Sequence, residues 1–373
     1  MKRYRLKQAF ISIHRWVGLA AGLVLVLIGL TGSVSVYWRE LHELTDSRLR
    51  VATPHAKGYR PYAEIVAALN DAFPGREDAW ALYPPWNSRG VMYAVYEFPE
   101  ERADAYESPL YVAIDPYRAQ VTSHYYWGES PVSWIYNLHS HLHAGPAGMG
   151  IVGVMGIFLL LLALSGVYVW WPVGRFVKRL FVPEHRQGAA RLEFDLHRVG
   201  GIYLWALLFV LSLSGILIVF EQQMSKAVGA AESPPAPLSA PRSGALPISA
   251  DEAVARARRL FPDATLKALH VPGGRRVAYQ VNLRQPGETF DLFYPNTNVW
   301  IDQYSGEVLR VEDPRQFDAG RRFMNLRVPF HGGEALGAWG RVLTCLTGFV
   351  PLLMFYTGIR QWLRARRSVS SRA

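Results

Sequence analysis

The sequence predicts a membrane all-α fold: a four-helix transmembrane bundle carrying two small α+β domains on its outer side, built by internal duplication. Three observations predict it. Four apolar blocks, 17–37, 149–171, 202–220 and 342–359, contain no Asp, Glu, Lys or Arg, and each is near the ~20 residues that cross a bilayer core. Basic residues gather beside alternate ends of those blocks. The second half of the chain restates the first.

The charge pattern sets the expected topology. A net charge of +10 would suit a nucleic-acid partner, but its distribution points to a bilayer. Lys2, Arg3, Arg5 and Lys7 precede the first block, Arg175, Lys178, Arg179, Arg186 and Arg191 fill the short loop between the second and third, and Arg360, Arg364, Arg366, Arg367 and Arg372 follow the fourth. This is the positive-inside pattern, with both termini cytoplasmic and the long loops outside, in the periplasm of a bacterial inner-membrane protein. The first span is expected to stay as an anchor, because no small-x-small cleavage site follows it. The expected order is a tail and first span (1–38), an outer domain (39–138), a second span (139–172), a cytoplasmic loop (173–195), a third span (196–221), a linker with a second outer domain (222–330), and a fourth span with a tail (331–373). The single cysteine, Cys345, falls in the fourth span, so no disulfide or cysteine-based metal site is expected outside.

The repeat is visible as spacing. Seventeen residues separate His14 from Thr31 and His197 from Ser214, and a glycine follows in each case. Twenty-six separate His139 from Ser165 and His331 from Thr357, again with a glycine next. Between the spans, 63–73 and 250–261 both read as helices ended by Phe-Pro. Each is followed by alternating strand pattern, at 91–95 and 277–281, and then by a strand–turn–strand unit, at 112–121 and 299–308. A Pro/Ser/Ala-rich stretch, 232–247, links the third span to the second outer domain.

These units resemble a known family. The helix–strand–strand units, the second with its Tyr304-Ser-Gly-Glu-Val308 turn, are similar to PepSY domains. The His-Arg-x-x-Gly segments at His14 and His197 resemble PepSY-associated transmembrane regions. Within that family the chain looks most like FoxB-type ferric siderophore reductases. The first outer domain departs from the pattern, reading Tyr117-Arg-Ala-Gln at the turn. The resemblance implies a haem-carrying bundle acting in iron uptake.

The histidines carry the chemistry. Ionisable groups at membrane depth are costly and often functional, and four occupy repeat-equivalent places. His14 and His197 lie on the cytoplasmic side, His139 and His331 on the outer side. A six-coordinate haem takes two axial histidines, so each level supplies one haem's ligands: two b-type haems, since no Cys-x-x-Cys-His allows covalent attachment. Gly18, Gly22, Gly200 and Gly201 inside, and Gly145, Gly148, Gly332 and Gly333 outside, are expected to let the macrocycle approach the backbone. Arg15 and Arg198 are placed either to pair with propionates or simply to mark the cytoplasmic side. Zinc is the rival metal, with Glu193 and Asp195 as the nearby carboxylates. On the outer side His143 is an alternative to His139: the repeat favours His139, whereas depth and Pro146 favour His143.

No dinucleotide or Walker-type loop is present in the sequence, so electrons are expected from an external donor, a cytoplasmic reductase or a quinol. The functional expectation is a di-haem oxidoreductase that reduces siderophore-bound ferric iron and releases ferrous iron. The alternatives are a non-catalytic membrane regulator or an electron-transfer subunit for a separate periplasmic reductase. His124-Tyr-Tyr-Trp127 with Trp134 reads either as an acceptor surface or as an interfacial aromatic belt.

Overall fold

A computed structural model describes residues 2–51, 58–76, 79–171, 188–241, 244–288 and 297–370. The basic residues expected at 175–186 lie outside the described residues. The chain divides into two units, one built from 1–37, 135–227 and 326–373, the other from 38–134 and 228–325.

The first unit is helical. Among the described residues four helical stretches are long and apolar enough to cross a bilayer. The first is helix α1 (Lys2–Ser35), followed along the chain by the short α2 (Trp38–Thr45) of the second unit. The second is α5 (Gly145–Trp170), preceded by α4 (Pro131–His141). The third is α6 (Ala189–Val219), which begins thirteen residues before the apolar block and so carries Arg191, Glu193, Asp195 and Arg198. The fourth, Glu334–Arg367, follows α8 (Arg327–His331) and is broken into α9 (Gly337–Thr347) and α10 (Val350–Ser370).

Helices in hydrocarbon gain no hydrophobic drive against one another and associate through close packing at small residues. A Cβ on Gly29 of α1 would stand 2.5 Å from the Gly348 carbonyl, and one on Gly153 of α5 would stand 2.7 Å from the Val219 and Phe220 side chains. The α9–α10 break falls at Gly348–Phe349, just before Pro351, whose missing N–H and ring disfavour a continuous helix.

His139 and His331 both precede a sharp turn. After His139, Leu142 and His143 adopt φ of +52° and +53°, and Gly145 starts α5 at +56°. After His331, Gly333 (φ +81°) and Gly337 (φ +61°) bracket the equivalent turn. The helix beginning at Pro146 is therefore present, separate from the helix that carries His139.

Among the described residues the second unit holds one eight-stranded antiparallel sheet. Its strands are β1 (Ala81–Tyr83), β2 (Met92–Tyr96), β3 (Leu110–Asp115), β4 (Gln120–Tyr126), β5 (Thr265–His270), β6 (Tyr279–Arg284), β7 (Thr297–Ile301) and β8 (Val308–Glu312), in spatial order 4-3-2-1-5-6-7-8. The sequence predicts two separate small domains. Instead the inner edges pair, with Ala81 opposite His270 and Leu82 opposite Leu269. An unpaired edge strand exposes backbone donors and acceptors, and joining β1 to β5 satisfies both edges at once.

Helix α3 (Tyr62–Ala72) and helix α7 (Ala250–Leu260) share one core with the sheet, around Ile65, Leu69, Leu82, Met92, Leu269 and Ile301. Asp251 of the second repeat accepts hydrogen bonds from the Tyr62 and Ala63 amides at the start of α3, at 2.8 and 2.9 Å, locking the halves together. Both helices end at the expected phenylalanines, Phe73 and Phe261.

The departing turn of the first repeat keeps the shape of the second. Asp302 accepts from the Tyr304 and Ser305 amides and Gly306 takes φ +69°. Asp115 accepts from the Tyr117 amide, and Ala119, in Gly306's place, takes φ +53°.

Candidate functional site

The bundle brings the four histidines together as two pairs. His14 on α1 faces His197 on α6, with ring centres 6.2 Å apart. His139 at the end of α4 faces His331 at the end of α8, with ring centres 6.0 Å apart. Metal–imidazole bonds of about 2.0 Å on each side bring two opposed ring centres to about 6 Å. His143 joins neither pair: its exposed ring stands 6.0 Å from His141. The repeat, not the depth argument, identified the paired residue.

Each histidine is held through Nδ1 by the other spanning helix of its own half. His14 Nδ1 is 2.9 Å from Ser165 Oγ, His197 Nδ1 is 2.8 Å from Thr357 Oγ1, and His331 Nδ1 is 3.1 Å from Ser214 Oγ. His139 Nδ1 is 2.8 Å from the carbonyl of Ile28.

These contacts fix the tautomer. Thr357 Oγ1 lies 2.7 Å from the Leu353 carbonyl and Ser214 Oγ lies 2.7 Å from the Val210 carbonyl. Two oxygens approach so closely only across a proton, and a carbonyl has none to give. The hydroxyl proton is thus spent within its own helix, and the oxygen accepts from imidazole N–H. Ser165 makes the same bond, at 3.3 Å, to Leu162. The Ile28 carbonyl is an acceptor only. Nδ1 carries the proton in every ring, and the Nε2 lone pair is left for a metal, the arrangement that metal-bound histidines require.

A glycine admits each ring. A Cβ on Gly32 would stand 2.8 Å from His139 Cε1, and those on Gly215, Gly166 and Gly358 would stand 3.2, 3.3 and 3.6 Å from the Cε1 atoms of His331, His14 and His197. The glycines expected to flank the pairs have other neighbours. Gly22 packs on Phe355, Gly148 lies under the His141 carbonyl, Gly200 and Gly201 lie against Met354, and Gly333 meets the Gly340 backbone. They serve helix packing and turns.

The distance between the pairs follows from helix geometry. Eighteen residues separate His14 from Gly32 on α1, and His197 from Gly215 on α6. At about 1.5 Å per residue the two levels lie about 27 Å apart, near the ~30 Å thickness of the hydrocarbon.

The donor set separates the candidate metals. Zinc takes three or four protein ligands, and among the described residues no group of three or more His, Cys, Asp or Glu side chains is placed to hold a metal ion. The two carboxylates considered for zinc are in ion pairs: Asp195 with Arg191 and Arg198, both at 2.9 Å, and Glu193 with Arg364 at 2.7 Å and Arg360 at 3.4 Å. Two imidazoles with free Nε2 atoms fit a haem, whose ring supplies the other four nitrogens. Of the two arginines expected near propionates, Arg198 donates to the fully buried Asp195, and Arg15 is exposed over the Trp16 ring.

The aromatic stretch 124–127 is not one surface. His124 packs edge-on to Phe73, while Tyr125 and Trp127 join Trp38, His42 and Tyr111 in a cluster inside the sheet unit. Trp134 is half exposed.

Fold and site together define an integral membrane protein whose spanning helices enclose two histidine pairs, one towards each end of the bundle. The chain belongs to the family described as the PepSY-associated TM region, whose profile matches residues 11–365. No curated protein matches the chain.

Proposed function

We propose that the chain is a transmembrane oxidoreductase carrying two b-type haems, one on His14 and His197 and one on His139 and His331. It passes electrons across the bacterial inner membrane to ferric iron held by a siderophore in the periplasm. The single observation that carries this reading is the pair of facing imidazoles at each level, with proton-free Nε2 atoms and ring centres 6.0 and 6.2 Å apart. A haem held in this way supplies a one-electron couple.

The protein's own groups do the rest. The histidines would hold the haems, and Ser165, Thr357, Ser214 and the Ile28 carbonyl keep their protons on Nδ1. The spacing of two levels over nearly the whole hydrocarbon thickness suits conduction across the membrane better than chemistry on one face. With both termini cytoplasmic, His14 and His197 form the inner level and the sheet unit is periplasmic. The donor is a cytoplasmic reductase or a quinol. A siderophore binds ferric iron through hard donors, and adding one electron lowers the charge of the metal and weakens its hold.

Reoxidation tests this reading. Protein reduced with dithionite and freed of excess reductant is mixed with a ferric hydroxamate siderophore and a ferrous chelator. Reoxidation with stoichiometric ferrous chelate is expected, and His331→Ala should slow it severely. A protein that stays reduced with several ferric siderophores is not a siderophore reductase, and the role of electron-transfer subunit takes its place.

A further inference from the structure

One charge in the bundle has no counterpart in the repeat. Arg341 stands ten residues past His331, where the first half, ten residues past His139, has Met149. It lies on α9, within the spanning stretch Glu334–Arg367, and is half-buried. A charge in such a stretch is costly, and those that are kept there are often functional.

The neighbours of Arg341 tie it to the His139–His331 pair. Its guanidinium donates to the Val36 carbonyl at 2.7 Å and lies over the Tyr37 ring, 4.4 Å from the ring centre. Val36 is one helical turn past Gly32, its amide bonded to the Gly32 carbonyl at 3.1 Å. That turn rises about 6 Å, and Gly32 is the glycine on which the His139 ring rests. On α9 itself the preceding residue, Gly340, packs against the backbone of Gly333, two residues past His331. Arg341 thus sits where the segment that holds His139 meets the helix that carries the His331 turn. Its hydrogen bond caps one of the carbonyls left open at the end of α1. A neutral donor would cap it at lower cost. What a neutral donor lacks is the charge.

We propose that Arg341, through its fixed charge, raises the reduction potential of the haem held by His139 and His331. This rests on the haem reading above. Each haem takes up one electron as ferric iron becomes ferrous, so its net charge falls by one. A positive charge nearby favours the reduced form, and does so more strongly away from bulk water. The higher potential favours passage of the electron from the His14–His197 level to the His139–His331 level.

The test is a potentiometric titration of the full-length protein in detergent, followed by visible absorption, with haem content measured on the same samples. Arg341→Gln should lower one of two midpoint potentials and leave the other in place. The potential that moves should be the one missing from His331→Ala, and Arg341→Lys should keep it near the wild-type value. Loss of that haem in Arg341→Gln, with the native potential retained in Arg341→Lys, also supports the proposal. Unchanged potentials in Arg341→Gln, equal shifts of both, or loss of the haem in both variants overturns it, with the haem reading intact, and leaves the guanidinium as a helix cap or an interfacial anchor. A wild type without haem overturns the haem reading and this proposal with it.

Discussion

The ring of His139 rests on Gly32, and a single added methyl group would stand 2.8 Å from its Cε1 atom. Gly32→Ala should therefore displace His139, with an overpacking cost of about 1–3 kcal/mol and loss of one haem equivalent. Gly150→Ala on α5 meets nothing within 4 Å and should keep both. Equal haem content in the two variants would show that the close approach does not matter.

The histidines sort into levels. His14→Ala or His197→Ala should each remove the same single haem, and His139→Ala or His331→Ala the other. His143→Ala should keep both, because His143 neighbours His141 rather than His331. Haem quantified per purified chain decides this. Full content in both the His14 and the His331 variants contradicts the pairing.

The turn at Ala119 is strained. A non-glycine residue in left-handed conformation costs roughly 1–2 kcal/mol, and Ala119 sits at φ +53° where the second repeat has Gly306. Ala119→Gly should raise the unfolding temperature of the sheet unit, by up to about 1 kcal/mol of stability once glycine's greater unfolded entropy is subtracted. An unchanged or lower melting temperature contradicts the assigned strain.

His42 gives the sheet unit a pH dependence. It is buried, with Nε2 2.6 Å from Ser130 Oγ and its ring against Trp38, Tyr125 and Trp127. Burial pushes its imidazole down to about 4, against an opposing pull from Asp46. The unfolded chain takes up this proton near the ordinary value of about 6.5. The stability contribution is thus complete above about 6.5 and is lost as pH falls towards 4, by up to about 3 kcal/mol. Thermal unfolding at pH 7.5, 5.5 and 4.5 should show a weaker acid loss in His42→Gln than in wild type. Identical pH slopes contradict the assignment.

The topology is testable without haem. A reporter active only in the cytoplasm should give signal when fused after Arg186 and none when inserted at 234–247. The reverse pattern would invert the inner and outer assignments.

Much of this architecture was legible in the sequence, because the spacing of its features recurs in the two halves of the chain. Spacing favoured His139 over His143, since the counterpart of His143 is Ala335, whereas depth favoured His143. The Phe-Pro signals ended both sheet helices where the structure ends them. The merging of two expected domains into one sheet was not legible, because strand periodicity does not say which edges meet. The neighbours of the glycines were not legible for a related reason. A glycine's use depends on what approaches it across the bundle, and Gly22 proved to face Phe355 while Gly32 faces His139. Ser165, Ser214 and Thr357 marked the repeat without revealing a role. The signal was there, as a hydroxyl followed by glycine in all four spans, but it lay on a different span from the histidine it serves.

The most direct test of the central claim is the pyridine haemochrome spectrum of the purified, full-length protein, read together with its protein concentration. Two non-covalent b-type haems per chain are predicted, and one per chain in His14→Ala and in His331→Ala. A wild-type protein expressed with ample haem supply and purified with none would contradict the account, and would leave the paired histidines without the metal their proton-free nitrogens imply.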